Sequence, residues 1–185
     1  MYYIDDNING LNLEAAIMDI SEQRRSQVMK FKHELGRRQC VASYLLLKEA
    51  LSSEYGIDEN PLFDYLEGGK PVLRNNPDIH FNISHCRIAV AVAVSDEPIG
   101  IDIETIRPYK DDLARHVLND SEYQYVVSSS KPDVEFIKLW TRKEAVLKLS
   151  GEGIRRDLRT LLTGQENTET IVDEVKGYVC TIAMK

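Results

Sequence analysis

From residue 87 to 104 the β-branched apolar side chains fall at alternate positions: Ile88, Val90, Val92 and Val94, then Ile99, Ile101 and Ile103. A period of two marks strands with a face turned into a core. Glu97-Pro98 interrupts the run, which predicts strands over 87–95 and 99–104, with a short strand over 79–84 before them and Arg107-Pro108 closing the block. Residues 1–4 predict one more short strand. Upstream the period lengthens. Val41, Tyr44, Leu45, Leu47 and Leu51 predict a helix over 34–55 ended by Gly56, and Ser21 opens a shorter helix over 21–30. Gly68-Gly69-Lys70-Pro71 is a turn.

Two more helices follow the strand block. Asn119 with Glu122 three residues later is a capping pair for the first. Ser130 with Asp133, and Pro132 in the opening turn, starts the second, which runs to about Leu149 and stops at Gly151. Residues 169–184 read as a hairpin around Gly177. Strands and helices do not alternate, so the predicted class is α+β with antiparallel strands. No internal repeat is visible in the sequence.

Length and composition narrow this picture. The 185 residues suffice for one ordinary domain or two small halves sharing a core. No segment approaches the roughly 20 apolar residues that span a bilayer, and the first residues lack a secretory signal, so no membrane partner is expected. Cys40, Cys86 and Cys180 are odd in number and far apart, which fits reduced thiols in a cytoplasm. The net charge of −7 argues against a general nucleic-acid binder. Residues 21–50 nevertheless hold seven bases against three acids, a local +4. That stretch is either a solvated helix face or a local anion site.

The candidate chemistry begins on strand 99–104. Asp102 and Glu104 share one face, about 7 Å apart, while Ile99, Ile101 and Ile103 take the other. Two such carboxylates repel unless a cation lies between them, and Mg²⁺ accepts one or two carboxylates beside water and phosphate oxygens. In isolation the pair also describes a solvated strand edge. Gly100 in this strand marks a close approach by another backbone or a ligand. On the last helix Trp140, Glu144 and Lys148 line one face, with Phe136 and Ile137 extending it. Glu144 and Lys148 are also spaced as an ordinary surface ion pair. Together the two segments suit a divalent metal and a phosphate chain. Phe81-Asn82-Ile83-Ser84-His85-Cys86 ends a strand, where Ser84 and His85 could meet an anion. Adjacent residues on a strand point to opposite faces, so Ser84 and His85 make a poor nucleophile–base pair.

Gly69-Lys70-Pro71, Phe81-Asn82-Ile83-Ser84-His85, Ile99-Gly100-Ile101-Asp102-Ile103-Glu104 and Trp140-Thr141-Arg142-Lys143-Glu144-Ala145-Val146-Leu147-Lys148 occur in that order. Together they resemble the 4′-phosphopantetheinyl transferase superfamily, in its surfactin-synthetase-activating branch. The resemblance spans roughly residues 30–155. It implies two pseudo-symmetric α+β halves, divided here as 1–75 and 76–185, with coenzyme A as substrate in the cleft between them. It implies Mg²⁺, with Mn²⁺ as a substitute, on Asp102, Glu104 and Glu144. It places Lys148 on the pyrophosphate, His85 on the 3′-phosphate, Ser84 near the phosphates and Lys70 at the adenine. Lys32 and Arg38 match upstream 3′-phosphate contacts, and Lys143 is counted with the cofactor residues. Cys86 stands where serine is frequent, the chain is short for the branch, and residues 1–30 match no motif.

The implied reaction moves phosphopantetheine to a serine of an acyl or peptidyl carrier protein and releases 3′,5′-ADP. No enzyme nucleophile is needed, and Glu144 is the candidate base. The pseudo-symmetry implies a monomer. The rivals are another Mg²⁺-dependent nucleotidyl or phosphoryl transferase, which would need a basic, aromatic-interleaved groove, and a non-catalytic binder of coenzyme A or a carrier.

Overall fold

The computed structural model describes residues 1–151, 157–162 and 164–185. The end of the family-like stretch, residues 152–155, therefore lies outside the described residues. In chain order the elements are β1 (Tyr2–Asp5), α1 (Leu13–Met18), α2 (Glu22–Val28), α3 (Glu34–Tyr55), β2 (Phe63–Tyr65), β3 (Pro71–Leu73), β4 (His80–His85), β5 (Val90–Ser95), β6 (Ile99–Thr105), α4 (Asp111–Val117), α5 (Asp120–Ser128), α6 (Pro132–Ser150), β7 (Asn167–Asp173) and β8 (Tyr178–Met184). All strand pairs are antiparallel.

The helix predicted over 34–55 is α3, and Gly56 ends it in the left-handed region at φ 65°. Asn119 and Glu122 form a reciprocal capping box on α5. The start of α6 differs from expectation. Lys131, not Ser130, is its N-cap, and an ammonium has no acceptor with which to cap; the Asp133 carboxylate accepts the Tyr109 backbone N–H at 3.1 Å. The short α1, α4 and hairpin β2–β3 were not predicted.

One sheet has the order β1-β5-β4 and another β6-β8-β7, with the hairpin β2–β3 apart. In each three-stranded sheet the chain runs strand, helices, then a hairpin whose last strand takes the centre. The molecule thus repeats one α+β plan twice, and Glu97-Pro98 lies at the junction. The hairpin β4–β5, assigned to the C-terminal half by the division at residue 75, completes the first sheet by pairing with β1.

Both faces of β5 are buried, which its alternating residues explain. Val90, Val92 and Val94 pack with Val41, Tyr44 and Leu47 of α3. Ala91 and Ala93 turn to Ile99, Ile101, Ile103, Cys180 and Ile182 of the second sheet. The sheets meet along edge strands β4 and β6, where the Asn82 side chain accepts the Ile101 N–H at 3.2 Å. Helix α6 crosses the other face of β6. A buried hydroxyl contact between Thr141 and Thr181, 2.8 Å, pins it to β8.

Candidate active site

Alternation on β6 sends Gly100, Asp102 and Glu104 toward α6 while the three isoleucines enter the core. Gly100 gives the helix room: a Cβ there would stand 2.1 Å from the Ala145 carbonyl oxygen. The close passage brings Glu144 and Lys148, one turn apart on α6, over Asp102.

Asp102 is buried. Its Oδ1 accepts from Lys148 Nζ at 2.6 Å and from Ser84 Oγ at 2.8 Å. Lys148 Nζ also donates to Ser84 Oγ at 2.9 Å and to the Ile101 carbonyl at 3.1 Å. Asp102 Oδ2 is buried and has no hydrogen-bond partner among the described residues. Burial raises the Glu144 pKa, the Asp102 charge raises it further, and Lys148 opposes both. Burial and Asp102 likewise raise Glu104, with Arg107 and Lys148 pulling the other way. Desolvation and the Lys148 charge lower the His85 pKa, favouring neutral imidazole.

Lys70 arrives from the turn of hairpin β2–β3. Its ammonium donates to the Lys148 carbonyl at 3.1 Å, at the C-terminal end of α6, where a cation is favoured. Lys70, Asn82, Glu144 and Lys148 line one open cavity of about 350 Å³. A smaller, separate cavity has Glu104 and Arg107 with Tyr109, Phe136 and Trp140 on its walls. The structure therefore gathers Asp102, Glu104, Glu144, Lys148, Ser84, His85 and Lys70 into one neighbourhood.

Three expected residues lie elsewhere. Lys143 is fully buried, and its ammonium meets Glu122 of α5 at 2.8 Å and the Leu158 carbonyl at 2.7 Å. One residue along a helix turns the side chain by about 100°, so Lys143 faces α5 and not the cavity of Glu144. Arg38 binds the carbonyls of Ile8, Asn9 and Leu11 and pairs with Glu34. Lys32 and Arg38 line a separate groove with Glu14, Ile17 and Arg37. Much of the basic stretch is similarly engaged, since Arg24, Arg25 and Arg37 donate to the carbonyls of Cys40, Ile20 and Phe31. Two contributors carried no role in the sequence reading. Asn82 ties β4 to β6, and its spacing of two from Ser84 was the available signal. Arg107 was visible only as the end of a strand block.

The donor set fits a hard divalent cation: three carboxylates share one region, one buried carboxylate oxygen has no partner, and the two glutamates repel further negative charge. Among the described residues no three acidic, histidine or cysteine side chains are already drawn into ligating geometry. Lys148 holds Asp102 instead.

Residues 98–181 match the model of the 4′-phosphopantetheinyl transferase superfamily. The chain is 32% identical over 154 residues to 4′-phosphopantetheinyl transferase psf-1 of Bacillus pumilus, covering 82% of this chain and 66% of that one. It is 31% identical over 156 residues to a 4′-phosphopantetheinyl transferase of Bacillus subtilis, covering 82% and 69%. With 4′-phosphopantetheinyl transferase AcpT of Salmonella typhimurium it shares 35% over 121 residues, 62% and 59%. The chain thus spans about two thirds of the length of the Bacillus relatives.

Proposed function

The chain belongs to the 4′-phosphopantetheinyl transferase superfamily, enzymes that modify carrier proteins with coenzyme A as substrate, and we propose that it performs that transfer with the cluster around Asp102. The observation that carries the assignment of the site is the buried Asp102 Oδ2, without a partner among the described residues, with two glutamates of raised pKa that both feel its charge.

In this reading Asp102 and Glu104, with Glu144 alongside, would hold Mg²⁺. The ion would supply charge neutralisation on the pyrophosphate oxygens. Lys148 takes the pyrophosphate with Ser84 close by, His85 lies at the 3′-phosphate, and Lys70 lies toward the adenine, its ammonium one hydrogen bond from the α6 end. The carrier serine hydroxyl attacks the phosphorus nearer the pantetheine. The new Oγ–P bond forms as the bond to the 3′,5′-ADP oxygen breaks, and Glu144 accepts the serine proton. The rest is positioning and charge stabilisation.

Both halves of the cleft come from one chain, which supports a monomer. Three buried free cysteines support a reducing cytoplasm. Among the described residues no helix is long and apolar enough to cross a membrane.

The test is to mix the protein with coenzyme A, Mg²⁺ and several apo acyl or peptidyl carriers and weigh the carriers. A phosphopantetheine adduct on serine is expected. No adduct on any carrier overturns the reading. Asp102→Ala should abolish transfer in a protein that still folds, and a fully active variant would displace the metal from Asp102.

A further inference from the structure

An ammonium group has three N–H donors. Lys148 has three acceptors: Asp102 Oδ1, Ser84 Oγ and the Ile101 carbonyl, all within 3.1 Å. Every donor is committed inside the protein, so none remains for a phosphate. Asp102 Oδ1 is likewise committed, accepting from both Lys148 and Ser84. A divalent cation approaching this carboxylate finds only Oδ2 without a partner and the lysine charge on Oδ1 beside it, and a pyrophosphate approaching the lysine finds its hydrogens taken. Neither ligand can make its full contacts until the ion pair opens.

The pair is built so that it can open. The Asp102 side chain is 7% exposed, but that of Lys148 is 29% exposed, and it borders the cavity. The ammonium can swing outward on its flexible stem while the carboxylate stays fixed on β6. Lys70, beside it, uses one hydrogen bond, to the Lys148 carbonyl. It offers a first cationic contact for an entering phosphate while Lys148 is still held.

We propose that Lys148 is the exchangeable counter-ion of the metal site. In the free enzyme it occupies Asp102 in place of the metal. When coenzyme A enters, the pyrophosphate draws the ammonium away, and Asp102 Oδ1 loses its competing cation and joins the unpartnered Oδ2 in reach of the metal. Metal and coenzyme A consequently bind interdependently, each strengthening the other, and neither alone binds tightly. This inference rests on the transferase reading of the cavity but concerns binding, not turnover.

The test titrates Mn²⁺, followed by the electron paramagnetic resonance of the free ion, into wild type and Lys148→Met, each with and without coenzyme A. Wild type is expected to bind Mn²⁺ weakly alone and about tenfold more tightly with coenzyme A. Lys148→Met removes the competing charge at similar length. It should bind Mn²⁺ alone about tenfold more tightly than wild type, with most of the coenzyme A enhancement gone. Equal Mn²⁺ affinity of the two unliganded proteins overturns the proposal.

A measurement on wild type covers the case in which the variant does not fold. Nitrogen-15 spectra of lysine ammonium groups should show two protected signals, Lys143 and Lys148, in the metal-free protein. Coenzyme A with Mg²⁺ should move one of them and leave the other as an internal reference. Two unmoved signals also overturn the proposal. Transfer that proceeds with unchanged Mn²⁺ affinities sinks this inference alone, whereas the expected Mn²⁺ pattern without transfer to any carrier sinks the transferase reading alone.

Discussion

Gly100 of β6 lies directly beneath the backbone of Ala145 of α6: a Cβ on Gly100 would come within 2.1 Å of the Ala145 carbonyl oxygen and 2.6 Å of the Leu149 amide nitrogen. Both atoms belong to helix backbone, which cannot rotate aside as a side chain can. Gly100→Ala therefore forces α6 off the sheet. Overpacking of this kind costs about 1–3 kcal/mol, and each kcal/mol lowers the melting temperature of a chain this size by about 2–4 °C. Because Glu144 and Lys148 ride on the displaced helix, transfer should fall more steeply than stability. A thermal melt beside a carrier-loading assay reads both. A variant with unchanged melting and unchanged rate would show that the helix has more room than the geometry allows.

Glu144 should be an unfavourable charge for the fold in the absence of metal. Its pKa is raised above 4.5 by burial and by Asp102. Between that value and the raised folded pKa, the native state binds more protons than the unfolded chain. The contribution of Glu144 to stability therefore falls as pH rises through this window, and the penalty persists at neutral pH. In metal-free buffer at pH 7, Glu144→Gln should raise the melting temperature. It should also flatten the loss of stability as pH rises above 4.5, while reducing transfer about 10²–10⁴-fold. A destabilised Glu144→Gln protein would mean that the Lys148 attraction outweighs the two raising effects.

Elements long enough to repeat a pattern were legible in the sequence. The bounds of α3 follow from five spaced apolar residues and Gly56, and β6 from three alternating isoleucines. Helices of six or seven residues such as α1 and α4, and three-residue strands such as β2 and β3, offer too few positions for a period to show. At the site, the shared face of Asp102 and Glu104 was readable from strand alternation. The Lys148–Asp102 contact was not, because it depends on how far along β6 the helix crosses. The basic stretch was only partly legible for a related reason: sequence counts charges but does not show that Arg38 is turned onto the carbonyls of residues 8, 9 and 11.

The proposed 3′-phosphate contact of His85 has a pH signature. Desolvation and Lys148 hold its pKa below 6.5, so the free imidazole is neutral at pH 7. A bound phosphate dianion favours the imidazolium and should pull a proton onto the ring. Without metal, coenzyme A should bind more tightly as pH falls from 7.5 to 6, and dephospho-coenzyme A should not. Calorimetry in buffers of different ionisation enthalpy detects the proton taken up. His85→Gln should remove the difference between the two ligands, and a retained difference would place the 3′-phosphate on other residues.

Lys143 separates a fold contact from a cofactor contact. Its ammonium is fully buried between Glu122 and the Leu158 carbonyl, and the same Glu122 Oε2 accepts the Asn119 N–H that caps α5. Replacing Lys143 with Met keeps much of the apolar stem but leaves the 12%-exposed Glu122 side chain without its cation. Removing one partner of a buried pair costs about 3–5 kcal/mol. Lys143→Met should therefore melt well below wild type, and the double variant with Glu122→Gln should recover part of the loss, since the remaining partner no longer carries a charge. At a temperature where both variants stay folded, the KM for coenzyme A should match wild type. The opposite result, a raised KM with normal melting, would return Lys143 to the coenzyme A site and mean that its ammonium leaves Glu122 when the substrate binds.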